Sequence, residues 1–279
     1  MAGWSFEAPI VVGLALAAAA YGGGASRWRG RRRRAVVAAW RVWCWYGGLA
    51  TLALALLSPL ARLDDDLLSV HMVQHVLLLL VAPPLLWLGS PLVPVLWAFP
   101  ARQRRTLGGL FHESNPVHRV FHFLTDARVA GSLFLVVVGL WHVPALYDLA
   151  QGPTFMHGLE HTLFLAVALL YWWPIVHPSG GRRRLAYGQA IGYLFVASVE
   201  GFLIGALLAL ADTVVYAHYA QVPGTLSPLS DQHLGGLVML IPTGVLWMAA
   251  VVTVLVRWMG SRPGLSDEMF LYLSSLGRR

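Results

Sequence analysis

Apolar residues are gathered into seven long stretches along the chain, and short polar segments rich in arginine separate them. Each stretch is at or near the ~20 residues that a helix needs to cross the roughly 30 Å hydrocarbon core of a bilayer. The pattern therefore predicts an all-α, polytopic membrane helix bundle. Its seven transmembrane helices are expected at about residues 8–25, 35–60, 67–88, 127–150, 157–176, 185–211 and 233–257.

The third stretch leaves two topologies open. Its apolar run continues from Leu67 to Phe99, too far for one straight helix, and four prolines and Gly89 interrupt it. A proline inside a helix removes a hydrogen bond and kinks the axis, and membrane helices tolerate this where neighbours satisfy the freed carbonyl. The run either crosses once, with a kink at Pro83 and Pro84, or crosses twice as two short pieces.

The composition is that of a membrane protein and excludes several other classes. Apolar residues make up 57% of the 279 residues and charged residues only 12%, about half of the ~25% usual in a soluble domain. This excludes a disordered chain, a nucleic-acid-binding domain and an ordinary cytosolic enzyme. All 20 basic residues are arginine, and the net charge is +7. Because these charges are divided among several loops, no nucleic acid is expected as a partner.

The distribution of arginine favours a single crossing of the third stretch. The seven spans then place 17 of the 20 arginines on one side, at positions 27, 29, 31–34, 102, 104, 105, 119, 182–184, 257, 262, 278 and 279. The opposite loops carry only Arg62, beside Asp64, Asp65 and Asp66. Because arginine concentrates in cytoplasmic loops, we expect the N-terminus outside and the C-terminus inside.

Residues 1–260 would form the transmembrane domain and residues 261–279 a short cytoplasmic tail. The arginine run at 31–34 is interpreted as an anchor on the head groups of membrane lipids.

Histidines supply the candidate chemistry, because Cys44 is the only cysteine and no thiolate metal site can form. His71 and His75 are four residues apart, as are His157 and His161, so each pair shares one helix face. Such a pair can chelate one metal ion. Both pairs lie near the outer ends of their predicted helices, and His142 lies at a similar depth. For a single histidine, a hydrogen bond between helices is the plainer interpretation, but the five together favour a metal or haem site.

Further polar residues are candidates for additional or supporting roles. The thioether of Met72 favours Cu(I), while Gln74 and Glu160 can orient imidazoles. Glu200 is predicted near the membrane midplane, where a carboxyl needs a partner or a proton. The ligand types leave copper, zinc and haem open.

Four motifs resemble those of the CtaG-type cytochrome c oxidase assembly factors. They are SVHMVQHVLLLLVAPPLLWLGSP at 69–91, WHVPALY at 141–147, HGLEHTLFL at 157–165 with YWWPI at 171–175, and LSPLSDQHLGGLVM at 226–239. The resemblance implies a multi-pass protein of the bacterial plasma (inner) membrane that helps to mature a haem–copper oxidase, at the step of copper delivery. The matching positions carry the five histidines, Glu160 and Asp231. His233 stands where the family pattern has a glutamine.

Several functions follow from this combination. The leading hypothesis is a non-enzymatic assembly factor that holds copper at the outer membrane face, takes it from a copper donor protein and passes it to an oxidase subunit. The alternative is a redox enzyme that binds haem b through histidine axial ligands. A copper transporter ranks third, because few polar residues continue towards the inner side. The remaining alternative is a structural scaffold, in which the histidines only form contacts between helices.

Overall fold

Helices account for all regular secondary structure in the described part of the chain, which confirms the predicted all-α class. The computed structural model describes residues 4–31, 37–110, 112, 114–152, 154–176, 185–220 and 226–260. The helices are α1 (Ala8–Arg31), α2 (Ala39–Leu57), α3 (Leu60–Leu63), α4 (Leu68–Val76), α5 (Ala82–Leu88), α6 (Leu92–Ala98), α7 (Ala101–Leu110), α8 (Pro116–Leu124), α9 (Ala127–Trp141), α10 (Pro144–Ala150), α11 (Thr154–Val176), α12 (Tyr187–Leu210), α13 (Ala217–Ala220) and α14 (Pro228–Gly260). The predicted tail at 261–279 lies outside the described residues.

The described residues include six helical segments that are long and apolar enough to cross a membrane. These are Ala8–Trp28, Ala39–Leu63, Leu68–Leu88, Phe155–Val176, Tyr187–Leu210 and Pro228–Gly260. Helices α8 and α9 together supply a seventh crossing if they count as one span, and they are bent by 63° at the break between them. The chain is therefore a membrane helix bundle with six or seven crossings.

The long apolar run from Leu67 to Phe99 contains only one element of crossing length. Helix α4 continues through a π-helical turn at Leu77–Val81 into α5, so the proline pair does not end the segment. A turn follows, in which Ser90 takes a positive φ of 48°. Helix α6 has seven residues, about 10 Å of rise, and is too short to cross a bilayer.

The fourth predicted span extends further than the helix that forms there. Helix α9 ends at Trp141, and α10 begins at Pro144. Pro144 has no N–H to donate, and its ring disfavours helical backbone at the preceding residue. Val143 accordingly has an extended ψ of 128°. The break leaves His142 as the C-terminal cap of α9.

The two ends of the bundle carry different residues. At one end the Ser5 N–H donates to the Leu57 carbonyl over 2.8 Å, and Leu57 precedes the acidic segment 64–66. We call this the acidic end. At the other end, Arg27 donates to the Ala98 carbonyl, and the Arg104 guanidinium lies 4.0 Å from the centre of the Trp97 ring. The acidic segment and the two arginines, Arg27 and Arg104, thus lie at opposite ends of the bundle.

Helices α12 and α14 approach most closely where two glycines meet. A Cβ atom on Gly236 would lie 2.4 Å from the Ala209 nitrogen, and one on Gly205 would lie 2.9 Å from the Gly236 oxygen. Small residues allow this close approach between membrane helices. The contact matters for the site below, because it fixes α14 and therefore the residues at its start.

Replacing Gly236 with alanine should force α12 and α14 apart. We expect a loss of about 1–3 kcal/mol in the free energy of unfolding, the usual cost of overpacking, measured by denaturant unfolding in detergent micelles. Gly244→Ala is the matched control on the same helix, because a Cβ atom there meets nothing within 4 Å. Equal stability of the two variants would contradict the described packing.

Candidate metal centre

Three histidines and one glutamate converge inside the bundle, towards its acidic end. His71 and His75 lie on α4, and Glu160 and His161 lie on α11. All four side chains are buried. One ligand atom from each residue lies within 4.8 Å of the ligand atoms of the other three. We call these four residues the buried donor set.

Helical spacing brings the four residues to facing surfaces. Four residues advance a helix by about 400°, so His71 and His75 project from the same face of α4. Their Nε2 atoms are 2.7 Å apart. Across the interface, the Glu160 carboxylate lies 3.5 Å from Nε2 of His75 and 3.7 Å from Nε2 of His71. The His161 ring lies 5.8 Å from the His75 ring, centre to centre.

Asp231 fixes the start of the helix that carries the two α4 histidines. Its carboxylate accepts a hydrogen bond of 2.6 Å from the Leu68 N–H and one of 2.5 Å from the Ser69 hydroxyl. A carboxylate at a helix N-terminus satisfies free N–H groups and complements the helix dipole. The described hydrogen bonds of the Asp231 carboxylate are thus all to α4, the helix that carries two members of the donor set.

Several polar atoms in and beside the buried donor set have no hydrogen-bond partner among the described residues. They are Nδ1 of His75, Nε2 of His161, Nε2 of His142 and both carboxylate oxygens of Glu160. Buried polar atoms are nearly always paired, so such a group of exceptions calls for an explanation. A bound cation would give imidazole nitrogens and carboxylate oxygens the partner that they lack.

His157 belongs to a second group of donors, one turn along α11 towards the acidic end. Asp64, His71 and His157 also offer ligand atoms within 4.8 Å of one another, and we call them the outer donor group. Nε2 of His157 lies 3.5 Å from the Asp64 carboxylate. Burial raises the pKa of Asp64, and the nearby His157 partly opposes that shift. The His71 side chain is thus shared by the two groups.

His142 lies on the wall of the buried donor set. Its ring is 5.3 Å from that of His75, centre to centre. Its Nδ1–H donates to the Val138 carbonyl over 2.8 Å, which fixes the ring and directs Nε2 away from its own helix. In the described residues, His142 is not part of either converging donor group.

The remaining candidates from the sequence lie around this centre. Met72 is fully buried in an apolar cluster with Leu68 and Met239, so its described packing is against α14. Gln74 donates to the Ala55 carbonyl over 2.9 Å. Glu200, on α12, borders a separate small cavity of about 20 Å³. Glu200 belongs to neither donor group in the described residues.

Sequence reasoning missed three residues that surround His71. Asp64 stands in the acidic segment, whose charge was used only to predict the orientation of the chain in the membrane. Gln151 and Tyr219 place their Nε2 and hydroxyl groups 3.2 Å and 3.3 Å from Nδ1 of His71. Gln151 lies 80 positions from His71 along the chain, and Tyr219 lies 148 positions from it. No local spacing could therefore reveal these contacts.

The sequence profile of the cytochrome c oxidase caa3 assembly factors (Caa3_CtaG) matches residues 19–261. The chain belongs to this family of caa3 oxidase assembly factors. The match covers every residue of both donor groups. The family resemblance in the four motifs is therefore confirmed over most of the membrane bundle.

Curated relatives of this chain come from mycobacteria. An uncharacterized protein of Mycobacterium bovis and one of Mycobacterium tuberculosis are each 29% identical over 265 residues, which is 91% of this chain and 39% of theirs. An uncharacterized protein of Mycobacterium leprae is 28% identical over 228 residues, which is 78% of this chain and 34% of that protein. The chain thus spans about two fifths of the length of these relatives. No solved structure matches it significantly.

Proposed function

We propose that this assembly factor is a non-enzymatic copper carrier within the membrane. It holds one copper ion at the buried donor set and passes it to a subunit of a haem–copper cytochrome c oxidase. The observation that carries the proposal is the convergence of four buried ligand atoms within 4.8 Å, several of which lack hydrogen-bond partners. His71, His75 and His161 would supply nitrogen ligands, and Glu160 would supply oxygen.

The spacing of the donor atoms suits a first-row metal ion. A tetrahedral site with bonds of about 2.0–2.1 Å places its ligand atoms about 3.3 Å apart. The distances among His71, His75 and Glu160 are 2.7, 3.5 and 3.7 Å, and they bracket that value. Small side-chain movements are therefore enough to bring these atoms around one ion.

Charge balance favours Cu(I) over a divalent ion. Three neutral imidazoles and one carboxylate carry a single negative charge, which a monovalent cation cancels. A divalent ion would leave one net positive charge in a fully buried site, where an uncompensated charge is costly. This supports copper as the cargo, while Zn²⁺ remains the natural competitor for imidazole ligands.

The close contact of the histidines argues against a bis-histidine haem built on α4. Two axial imidazoles lie on opposite faces of a porphyrin, with their nitrogens about 4 Å apart across the iron. The Nε2 atoms of His71 and His75 are in hydrogen-bond contact on one helix face. His71 and His75 together therefore do not suit the two axial positions of one haem.

A plasma-membrane location with the acidic end outside completes the proposal. The arginine distribution in the sequence supports this orientation. The acidic end would then face the compartment in which a copper donor protein can reach it. The recipient would be an oxidase subunit in the same membrane, surrounded by the same lipids.

The orientation predicts the result of reporter fusions. A fusion after Arg105 should report a cytoplasmic position, and fusions near Asp65 and Gln151 should report an external one, measured with paired phosphatase and fluorescent-protein reporters. An external reading after Arg105, or a cytoplasmic reading near Asp65, would overturn the orientation.

Metal analysis of the purified chain tests the function itself. The protein is extracted from bacterial membranes without added copper, and its copper, zinc and haem contents are measured per chain. We expect about one copper ion per chain and no Soret band. Stoichiometric haem would support the redox alternative instead, and an absence of any bound metal after reconstitution with Cu(I) would reject the carrier.

A further inference from the structure

A cavity of about 750 Å³ opens at the acidic end, beside α11. Its walls include Asp64 and Asp66 from the acidic segment, Gln74 from α4, and His157 and His161 from α11. His161 is about nine-tenths buried, and its Nε2 atom has no hydrogen-bond partner among the described residues. The cavity therefore extends from the acidic segment to a ligand of the buried donor set.

The outer donor group supplies the more exposed donors, because Asp64 and His157 line the cavity together with His161. The His157 side chain is 19% exposed, whereas those of His71 and Glu160 are 0% exposed. The His71 and His157 rings are stacked 5.1 Å apart. A cation that arrives through the cavity can therefore contact Asp64 and His157 directly, whereas His71, His75 and Glu160 do not line the cavity.

Tyr219 contacts both Asp64 and His71, the residue that the two donor groups share. Its hydroxyl donates to the Asp64 backbone carbonyl over 2.7 Å and lies 3.3 Å from Nδ1 of His71. This contact holds the acidic segment against the shared histidine. The distance between the two groups is therefore fixed by the fold.

We propose that Asp64, His71 and His157 form a loading site, at which the metal ion binds first and from which it moves to the buried donor set. This inference rests on the proposed copper-carrier function. In the transfer, the bonds to Asp64 and His157 break while bonds to His75, Glu160 and His161 form. No electron is transferred, and the valence of the ion is unchanged. His71 serves as a ligand in both positions, so the ion is never released.

Electrostatics favours such a two-step path. Each position offers one carboxylate, Asp64 outside and Glu160 inside, so a monovalent cation meets one compensating charge at each stage. A cleft lined by one sign of charge also raises the rate at which ions of the opposite sign associate. The loading site should therefore control the rate of filling, and the buried donor set the final affinity.

The test separates the rate of loading from the affinity at equilibrium. Full-length protein in detergent micelles receives Cu(I) from a coloured Cu(I) chelator under anaerobic conditions, and the loss of colour is followed in time and at equilibrium. For Asp64→Asn we expect loading to slow by about tenfold, with the equilibrium affinity changed less than about twofold. Asparagine can still accept the hydrogen bond that the Asp64 carboxylate takes from the Asp65 N–H, so the local fold is retained.

Two further variants make the result decisive. Asp66→Asn removes the same charge from the same cavity but lies outside both donor groups, so it should slow loading less than Asp64→Asn does. Equal slowing by the two variants would assign the effect to the charge of the cavity and overturn the loading site. His157→Ala should slow loading as Asp64→Asn does. Wild-type loading rates in both Asp64→Asn and His157→Ala would overturn the loading site, and so would a loss of equilibrium affinity equal to that of His75→Ala. If the wild-type protein itself takes up no Cu(I), the carrier function has failed, and the inference fails with it.

Discussion

Replacing His75 or His161 with alanine is expected to abolish stable copper retention and to lower terminal oxidase activity, while the protein stays in the membrane. Each change removes one of four donors from a compact set, and we expect the affinity for Cu(I) to fall at least about a hundredfold. Insertion should be unaffected, because alanine is more apolar than histidine in a membrane helix. The measurements are Cu(I) affinity in vitro, and oxidase activity with haem and copper contents in cells, normalised to the amount of this protein.

His118→Ala is the control for this experiment. His118 lies on α8, outside both donor groups, so its replacement should leave copper affinity and oxidase activity unchanged. Added copper should partly restore activity in the His75 and His161 variants if weakened binding is the cause. Full oxidase activity in both variants, at normal protein levels and without added copper, would reject a role for these histidines in metal delivery.

Replacing Glu160 with glutamine should weaken metal binding through charge alone. Glutamine keeps the volume and an oxygen acceptor, but the loaded site gains one unit of positive charge in a buried environment. We expect Cu(I) affinity to fall by about a hundredfold, and Zn²⁺ affinity to fall further, because the Coulomb energy scales with the charge of the ion. The metal-free variant should be at least as stable as the wild type, since it no longer buries an ionisable group.

Competition titrations with Cu(I) and Zn²⁺ against chelators of known affinity measure this effect. Glu200→Gln is the matched control, because it makes the same chemical change at a half-buried carboxyl on α12, with a buried Oε2 atom, that belongs to neither donor group. An equal loss of affinity in both variants would show that removing a carboxylate anywhere in the bundle weakens metal binding, with no special role for Glu160. An unchanged affinity in Glu160→Gln would remove Glu160 from the site.

The sequence was informative where the pattern is local. Apolar runs and prolines predicted the helices, and spacings of four residues identified the two histidine pairs that α4 and α11 bring together. Contacts between distant segments could not be read in this way. Asp231 caps α4 from 163 positions away, and Asp64 folds back from the acidic segment to His157. Met72 has a residue type that suits Cu(I), and its packing in an apolar cluster with Leu68 and Met239 could not be read from the spacing.

The extent of α9 shows a different limit. The apolar pattern continues through residues 127–150 and predicted one helix over that range. Pro144 nevertheless disfavours helical backbone at the residue before it, and α9 ends at Trp141. The resulting break places His142 at a helix end, beside His75. Local backbone chemistry here outweighs the apolar pattern.

X-ray absorption at the copper edge of the Cu(I)-loaded, full-length protein tests the central claim most directly. If the buried donor set holds the ion, the spectrum should show only nitrogen and oxygen neighbours at about 2.0–2.1 Å, with the multiple scattering of about three imidazole rings, and the imidazole contribution should fall in His75→Ala. A sulfur neighbour in the wild-type spectrum, or imidazole scattering that persists unchanged in His75→Ala, would contradict the proposed copper site.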